Sequence, residues 1–169
     1  MIGNDIVVIG NDIVDLDLAQ SESNWQRKGF LDKIFSQDEK RLILTNSNPE
    51  LMVWNLWSRK EAAYKIYNRI TGIREYFPLG LCCNYENNQS GTVSIEGFVF
   101  YTKTQIEKDY VYTIAVSEVS IWNKIKVLNS LESIKKENGI PYILNNFSNT
   151  INPVSITHHG RFLRVITCE

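Results

Sequence analysis

Between residues 49 and 69 the apolar positions recur with a helical period. Met52, Leu56, Ala63, Tyr67 and Ile70 fall on one side at 100° per residue, and Val53, Trp57 and Tyr64 widen that side. Asn48 suits the N-cap, Pro49 the first turn, and Thr71-Gly72 the end. Ser58, Glu61 and Lys65 share the opposite arc. Glu61 and Lys65 are four apart, so their charges stand on neighbouring turns. Taken alone, this is an ordinary surface ion pair. Two features argue otherwise. Trp54 and Trp57 flank the polar arc, which implies partial burial, and Arg59 and Lys60 turn into the apolar arc. A charge there needs a metal, a phosphate or a carboxylate as partner.

Before this helix, residues 8–16 form a strand-like apolar run that carries Asp12. An Asp in such a run is structural unless an acidic helix residue faces it. Residues 21–45 read as helical, with Phe30, Leu31, Ile34 and Phe35 at helical spacing. Ser36-Gln37-Asp38-Glu39 is a capping box that starts a helix over 37–44. After Gly72 the chain turns to β-branched and aromatic residues. Strands are expected over 79–85, 92–101 and 110–119, with a turn through Asn87-Asn88-Gln89-Ser90-Gly91. Ile125, Leu128 and Leu131 share one side of a helix expected over 123–137, ended by Asn138-Gly139. Residues 145–152 read as a loop, and strands over 154–156 and 162–167 flank a turn at His158-His159-Gly160. The pattern predicts an α+β fold: a single domain over 1–169, with a mostly antiparallel sheet packed on the long helix.

Composition narrows the function classes. A chain of 169 residues with 43% hydrophobic positions can bury a sizeable core. A net charge of −1 and only short basic pairs, Arg27-Lys28 and Lys135-Lys136, argue against a nucleic-acid footprint. No apolar run approaches a membrane span, and no leader pattern precedes a cleavage site. Cys82, Cys83 and Cys168 show no zinc spacing and read as reduced thiols of a cytoplasmic protein. A tandem repeat opens the chain: Ile2-Gly3-Asn4-Asp5-Ile6-Val7 recurs as Ile9-Gly10-Asn11-Asp12-Ile13-Val14. Residues 1–7 read as a duplicated leader. A register slip would offer Asp5 in place of Asp12.

Four segments, in order, resemble the 4′-phosphopantetheinyl transferases. Gly10-Asn11-Asp12-Ile13-Val14 is similar to that family's glycine-x-aspartate signature. Trp57-Ser58-Arg59-Lys60-Glu61-Ala62-Ala63-Tyr64-Lys65 resembles its W-S-x-K-E-A-x-x-K signature, the most specific of the four. Between them, Ile34-Phe35-Ser36-Gln37-Asp38-Glu39 resembles V-F-[ST]-x-x-E. Gly139-Ile140-Pro141 and then Val154-Ser155-Ile156-Thr157-His158 resemble G-K-P and [IV]-S-[IL]-S-H, with Thr157 in place of the second serine.

The resemblance implies transfer of the 4′-phosphopantetheine arm of coenzyme A to a serine of an acyl or peptidyl carrier protein. It implies Mg²⁺ held by Asp12 and Glu61, oxygen donors that suit this ion. Lys65, and Lys60 as a second cation, would contact phosphates, and His158 the 3′-phosphate of coenzyme A. Glu61, or a water held by the metal and oriented by Glu61, would take the serine proton. Arg27, Lys28 and Lys33 are either a solvated face or a basic surface for the carrier. Val14 stands where the larger type of the family has a third acid, so the chain is closer to the holo-acyl-carrier-protein synthase type. That type is homotrimeric, with sites between subunits; the extra strands here could instead leave a monomer. A relative that binds coenzyme A or the carrier without turnover is the other reading. Which carrier is served, whether of fatty-acid, polyketide or peptide synthesis, stays open.

Overall fold

The computed structural model describes residues 8–145 and 147–169; Asp5 and the first copy of the repeat lie outside them. The described residues begin with β1 (Ile9–Asp15) and three short helices, α1 (Leu16–Glu22), α2 (Phe30–Ile34) and α3 (Gln37–Thr45). The long helix α4 spans Pro49–Thr71. Its ends are set locally. Asn48 accepts from the Leu51 amide, and Gly72 closes the helix at φ 74°, a left-handed value that glycine adopts without strain. The capping box at α3 is also formed, with Ser36 and Glu39 each bonding the other's backbone amide.

Among the described residues ten strands form two five-stranded antiparallel sheets. The first contains β1, β2 (Cys82–Tyr85), β3 (Ser90–Ile95), β4 (Phe98–Ile106) and β5 (Tyr110–Val116), in the order β1-β5-β4-β3-β2. The strand expected over 92–101 is really a hairpin. Glu96 and Gly97 both have positive φ, 47° and 85°, which suits the two-residue turn between twisted strands. The second sheet contains β6 (Ile125–Val127), β7 (Lys135–Glu137), β8 (Ile140–Asn145), β9 (Thr150–His159) and β10 (Phe162–Cys168), in the order β6-β10-β9-β8-β7.

The helix expected over 123–137 does not form. A 3₁₀ turn ends at Lys124, and Ile125, Lys126 and Val127 pair instead with Cys168, Thr167 and Ile166 of β10. Ile125 and Val127 are β-branched and suit a ladder better than a helix. Leu131 remains half exposed, so the spacing of 125, 128 and 131 marked no buried face. The loop expected over 145–152 shrinks to a turn between β8 and β9, which pair as far as Asn145 and Thr150.

The two sheets have the same winding: the first strand lies beside the last, and the others run back in reverse order. In the first sheet all four helices lie between its first two strands; β6 and β7 are joined by residues 128–134 without a helix. Helix α4 packs along the first sheet through Ala62, Ala63, Ile66 and Tyr67 against Val93, Phe100 and Ala115. Its N-terminal half shares a second cluster with α1–α3 through Val53, Trp54 and Leu56. Ile9 and Val116 meet Ile121, Ile166 and Cys168 where the two sheets join.

Candidate active site

Gly10 sets how closely β1 approaches α4. A Cβ there would lie 2.0 Å from the Ala62 carbonyl oxygen, so only glycine permits this contact. Two residues on, Asp12 enters the same neighbourhood as Glu61 and Lys65 of α4. The Lys65 Nζ lies 3.9 Å from Asp12 Oδ1 and donates to the carbonyls of Asn11, at 2.6 Å, and Ile156, at 3.1 Å. Strand β1, helix α4 and strand β9 therefore meet at this ammonium.

The three charges are poorly solvated. Burial, with a smaller contribution from Glu61, pushes the Asp12 carboxyl up to about 8, against the opposing pull of Lys65. Burial also raises Glu61 and lowers Lys65. The Tyr76 hydroxyl is buried and makes no hydrogen bond of good geometry, yet it stands near enough to favour the charged form of Glu61. Together these facts place the Tyr76 hydroxyl beside Glu61. Two neighbouring carboxylates that resist ionisation, with one shared ammonium, are a donor set suited to a hard divalent cation such as Mg²⁺. Among the described residues no group of three or more His, Cys, Asp or Glu side chains gathers, so the chain offers two carboxylates and leaves other positions to water or substrate.

Strand β9 meets β1 in an unusual way. β1 is an edge strand, and its outward amides are taken by side chains rather than by another backbone. The Asn11 amide donates to Ser155 Oγ at 3.0 Å, that of Ile13 to Thr157 Oγ1 at 3.1 Å, and that of Asp15 to His159 Nδ1 at 2.8 Å. The Thr157 hydroxyl in turn donates a hydrogen bond to Asp12 Oδ1 at 3.3 Å. The buried Asn11 side chain completes the junction, accepting from Ser155 and donating to the Tyr112 hydroxyl and the Arg164 carbonyl. Residues 155, 157 and 159 thus face β1, and His158 takes the other direction of the alternation.

His158 opens into a cavity of about 370 Å³ between α4 and the second sheet. Lys65, Arg69, Lys136 and His158 line it, along with Gly139, Ile140 and Pro141 of the G-x-P segment. Lys65 belongs both to this cavity and to the acidic pair. The structure therefore brings Asp12, Glu61, Lys65 and His158 into one region.

Lys60 is elsewhere. Its Nζ lies 2.7 Å from Glu39 Oε2 and donates to the carbonyls of Ile34 and Pro78, and the side chain is fully buried. With three protons in three contacts it has none for a phosphate, so the expectation of a phosphate contact is corrected. The same holds for its neighbours. Ser58 lies against Thr113 at 2.7 Å, and Arg59 donates to the carbonyls of Ser90 and Asn87. His159, placed by the sequence in a turn, is a rung between strands. Arg161 clasps the buried carboxylate of Asp15. Sequence reasoning missed Arg69, Lys136 and Tyr76. Arg69 was within reach, because it extends the Glu61–Lys65 spacing by four more residues.

A family model described as the 4′-phosphopantetheinyl transferase superfamily matches residues 8–115, from the start of β1 into β5. The fold is similar to that of an ACPS–CoA complex from Chronobacterium ammoniagenes, with a TM-score of 0.53 and 16% identity over 66% of this chain and 96% of that one. The apo-ACPS structure from the same organism gives 0.52 and 14%, over 65% and 94%. Holo-[acyl-carrier-protein] synthase from Thermotoga maritima gives 0.51 and 18%, over 85% and 88%. At these identities the likeness is one of fold. No curated protein matches the chain. Among the described residues no helix is long and apolar enough to cross a membrane.

Proposed function

The chain belongs to the 4′-phosphopantetheinyl transferase superfamily, and from that premise we infer that it moves the 4′-phosphopantetheine arm of coenzyme A onto a carrier-protein serine. The observation that carries this reading is the position of Lys65, which joins the Asp12–Glu61 pair to a cavity lined by three further cationic or imidazole side chains. A charged diphosphate and a carboxylate-held cation would meet at that ammonium.

In the reaction the serine hydroxyl forms a bond to the phosphorus on the pantetheine side. The bond from that phosphorus to adenosine 3′,5′-bisphosphate breaks, and the serine loses its proton. Glu61 supports the role of proton acceptor, because burial raises its affinity for a proton above that of an ordinary carboxylate. Lys65 is a fixed cation for the diphosphate, held by two backbone carbonyls so that it needs no rearrangement. Asp12 is oriented by the Thr157 hydroxyl. Asp12 and Glu61 would hold Mg²⁺, which when bound offsets charge on the diphosphate. His158 faces the cavity where the 3′-phosphate would lie.

This reading favours one complete site per chain. Side chains of β9 already cover the free edge of β1. The covered edge supports a monomer over the homotrimer.

The test is intact-mass analysis of an apo acyl or peptidyl carrier protein incubated with coenzyme A and Mg²⁺, beside the Glu61→Gln variant. A gain of one phosphopantetheine unit, lost in the variant, establishes the reaction and the part of Glu61 in it. Tight coenzyme A binding with no gain on any carrier would leave a non-catalytic binding relative.

A further inference from the structure

Among the described residues Arg69 is a half-buried cation with no acidic partner. Its Nη2 donates to the carbonyls of Pro141, at 3.0 Å, and Val154, at 2.6 Å. It forms no salt bridge among the described residues, and none of the residues lining its cavity is Asp or Glu. Burial alone lowers it, to about 10, with no charged group acting either way. An uncompensated guanidinium in a cavity invites an anion, and its planar fork suits phosphate oxygens.

Position on α4 says which anion. Glu61, Lys65 and Arg69 are spaced by four residues, so each stands about 6 Å beyond the last along the helix axis. The acid that pairs with Asp12 comes first and the ammonium second. Arg69 is one turn further from the acids, in the same cavity as Lys136 and His158. A ligand that sets its diphosphate at Lys65 and runs into this cavity presents its outlying phosphate there.

Resting on the transferase reading above, we propose that Arg69 is a further ligand-binding residue, contacting the 3′-phosphate of coenzyme A from the α4 side of the cavity while His158 faces it from β9. The two carbonyl bonds give the residue its aim. They leave Nε and Nη1 for the ligand and tie the start of β8 and the middle of β9 to the helix that carries the acid and the ammonium.

The experiment is calorimetric titration of coenzyme A and of 3′-dephospho-coenzyme A into the wild type, Arg69→Gln and Arg69→Lys. Loss of one charge-assisted contact predicts that Arg69→Gln weakens coenzyme A by about tenfold or more. Binding of the dephospho ligand should stay within about twofold, since it lacks the group concerned. Arg69→Lys should fall between, keeping the charge without the fork. Arg69 also holds two strands, so the variant loses some stability, and the dephospho ligand is the control for an intact cavity. An equal loss for both ligands, or none for either, overturns the role of Arg69 and leaves it as a clamp. Failure of the wild type to bind either ligand overturns the transferase reading itself, and the role of Arg69 with it.

Discussion

Lys60 and Glu39 face each other at 2.7 Å, and neither side chain is more than 3% exposed. Glu39 also accepts the amides of Ser36 and Cys83, so one carboxylate joins α3, α4 and β2. Removing one partner leaves a charge with no water and no counter-ion, so Lys60→Met should cost about 3–5 kcal/mol of stability. Chemical denaturation would measure this. The coenzyme A affinity of the folded fraction should not change, because Lys60 is not in the cavity. A selective loss of affinity at full stability would return Lys60 to the site.

Asp12 and Glu61 present the opposite case, since burial makes both carboxylates resist ionisation in the folded state, with a smaller contribution from Glu61 at Asp12. Asp12→Asn and Glu61→Gln should each reduce transfer by about a hundredfold or more. Without magnesium these variants should melt as high as the wild type, or up to about 4 °C higher, because a buried charge has been removed. Added MgCl₂ should raise the melting temperature of the wild type only. Thermal scans with EDTA and with MgCl₂ check both points, and a magnesium-dependent rise in either variant would count against the assigned pair.

The adjacent histidines should separate cleanly. His159→Ala removes the acceptor for the Asp15 amide, and Thr157→Val the acceptor for the Ile13 amide. Each should cost about 1–3 kcal/mol, the penalty for a poorly solvated unpaired donor. His158→Ala should leave stability unchanged and weaken coenzyme A binding. Urea unfolding and ligand titration on the same three proteins test the division.

Acid stability should report Asp15. Arg161 donates to both its oxygens and holds this carboxyl well below the usual range. A depressed folded pKa means that the unfolded chain takes up the proton first. The stabilisation is therefore complete above about pH 4, where the unfolded carboxyl is ionised, and is lost progressively below it. Stability curves measured from pH 7 downward should fall more steeply for the wild type than for Asp15→Asn. Equal slopes would show that other carboxylates dominate.

Much of the helical half is local and could be read from the sequence. Asn48, Pro49 and Gly72 bound α4, and Ser36 with Glu39 starts α3, because caps satisfy backbone groups within a few residues. The glycine-x-aspartate and tryptophan-to-lysine segments named the family, and they placed Asp12, Glu61 and Lys65 on elements that do meet. Tertiary structure decided the rest. Ile125 and Val127 became a strand because β10, about forty residues later, offers a ladder. Lys60 and Lys65 lie five apart on one helix, yet one meets Glu39 and the other Asp12, since their faces diverge by more than a quarter turn. His158 and His159 part for a simpler reason: neighbours in a strand point to opposite sides. Local sequence determines where a helix starts, where it stops and which residues share its face. What stands opposite that face depends on contacts between residues 18 to 91 apart in the chain, and these decided which cations lie at the site and which hold the fold together.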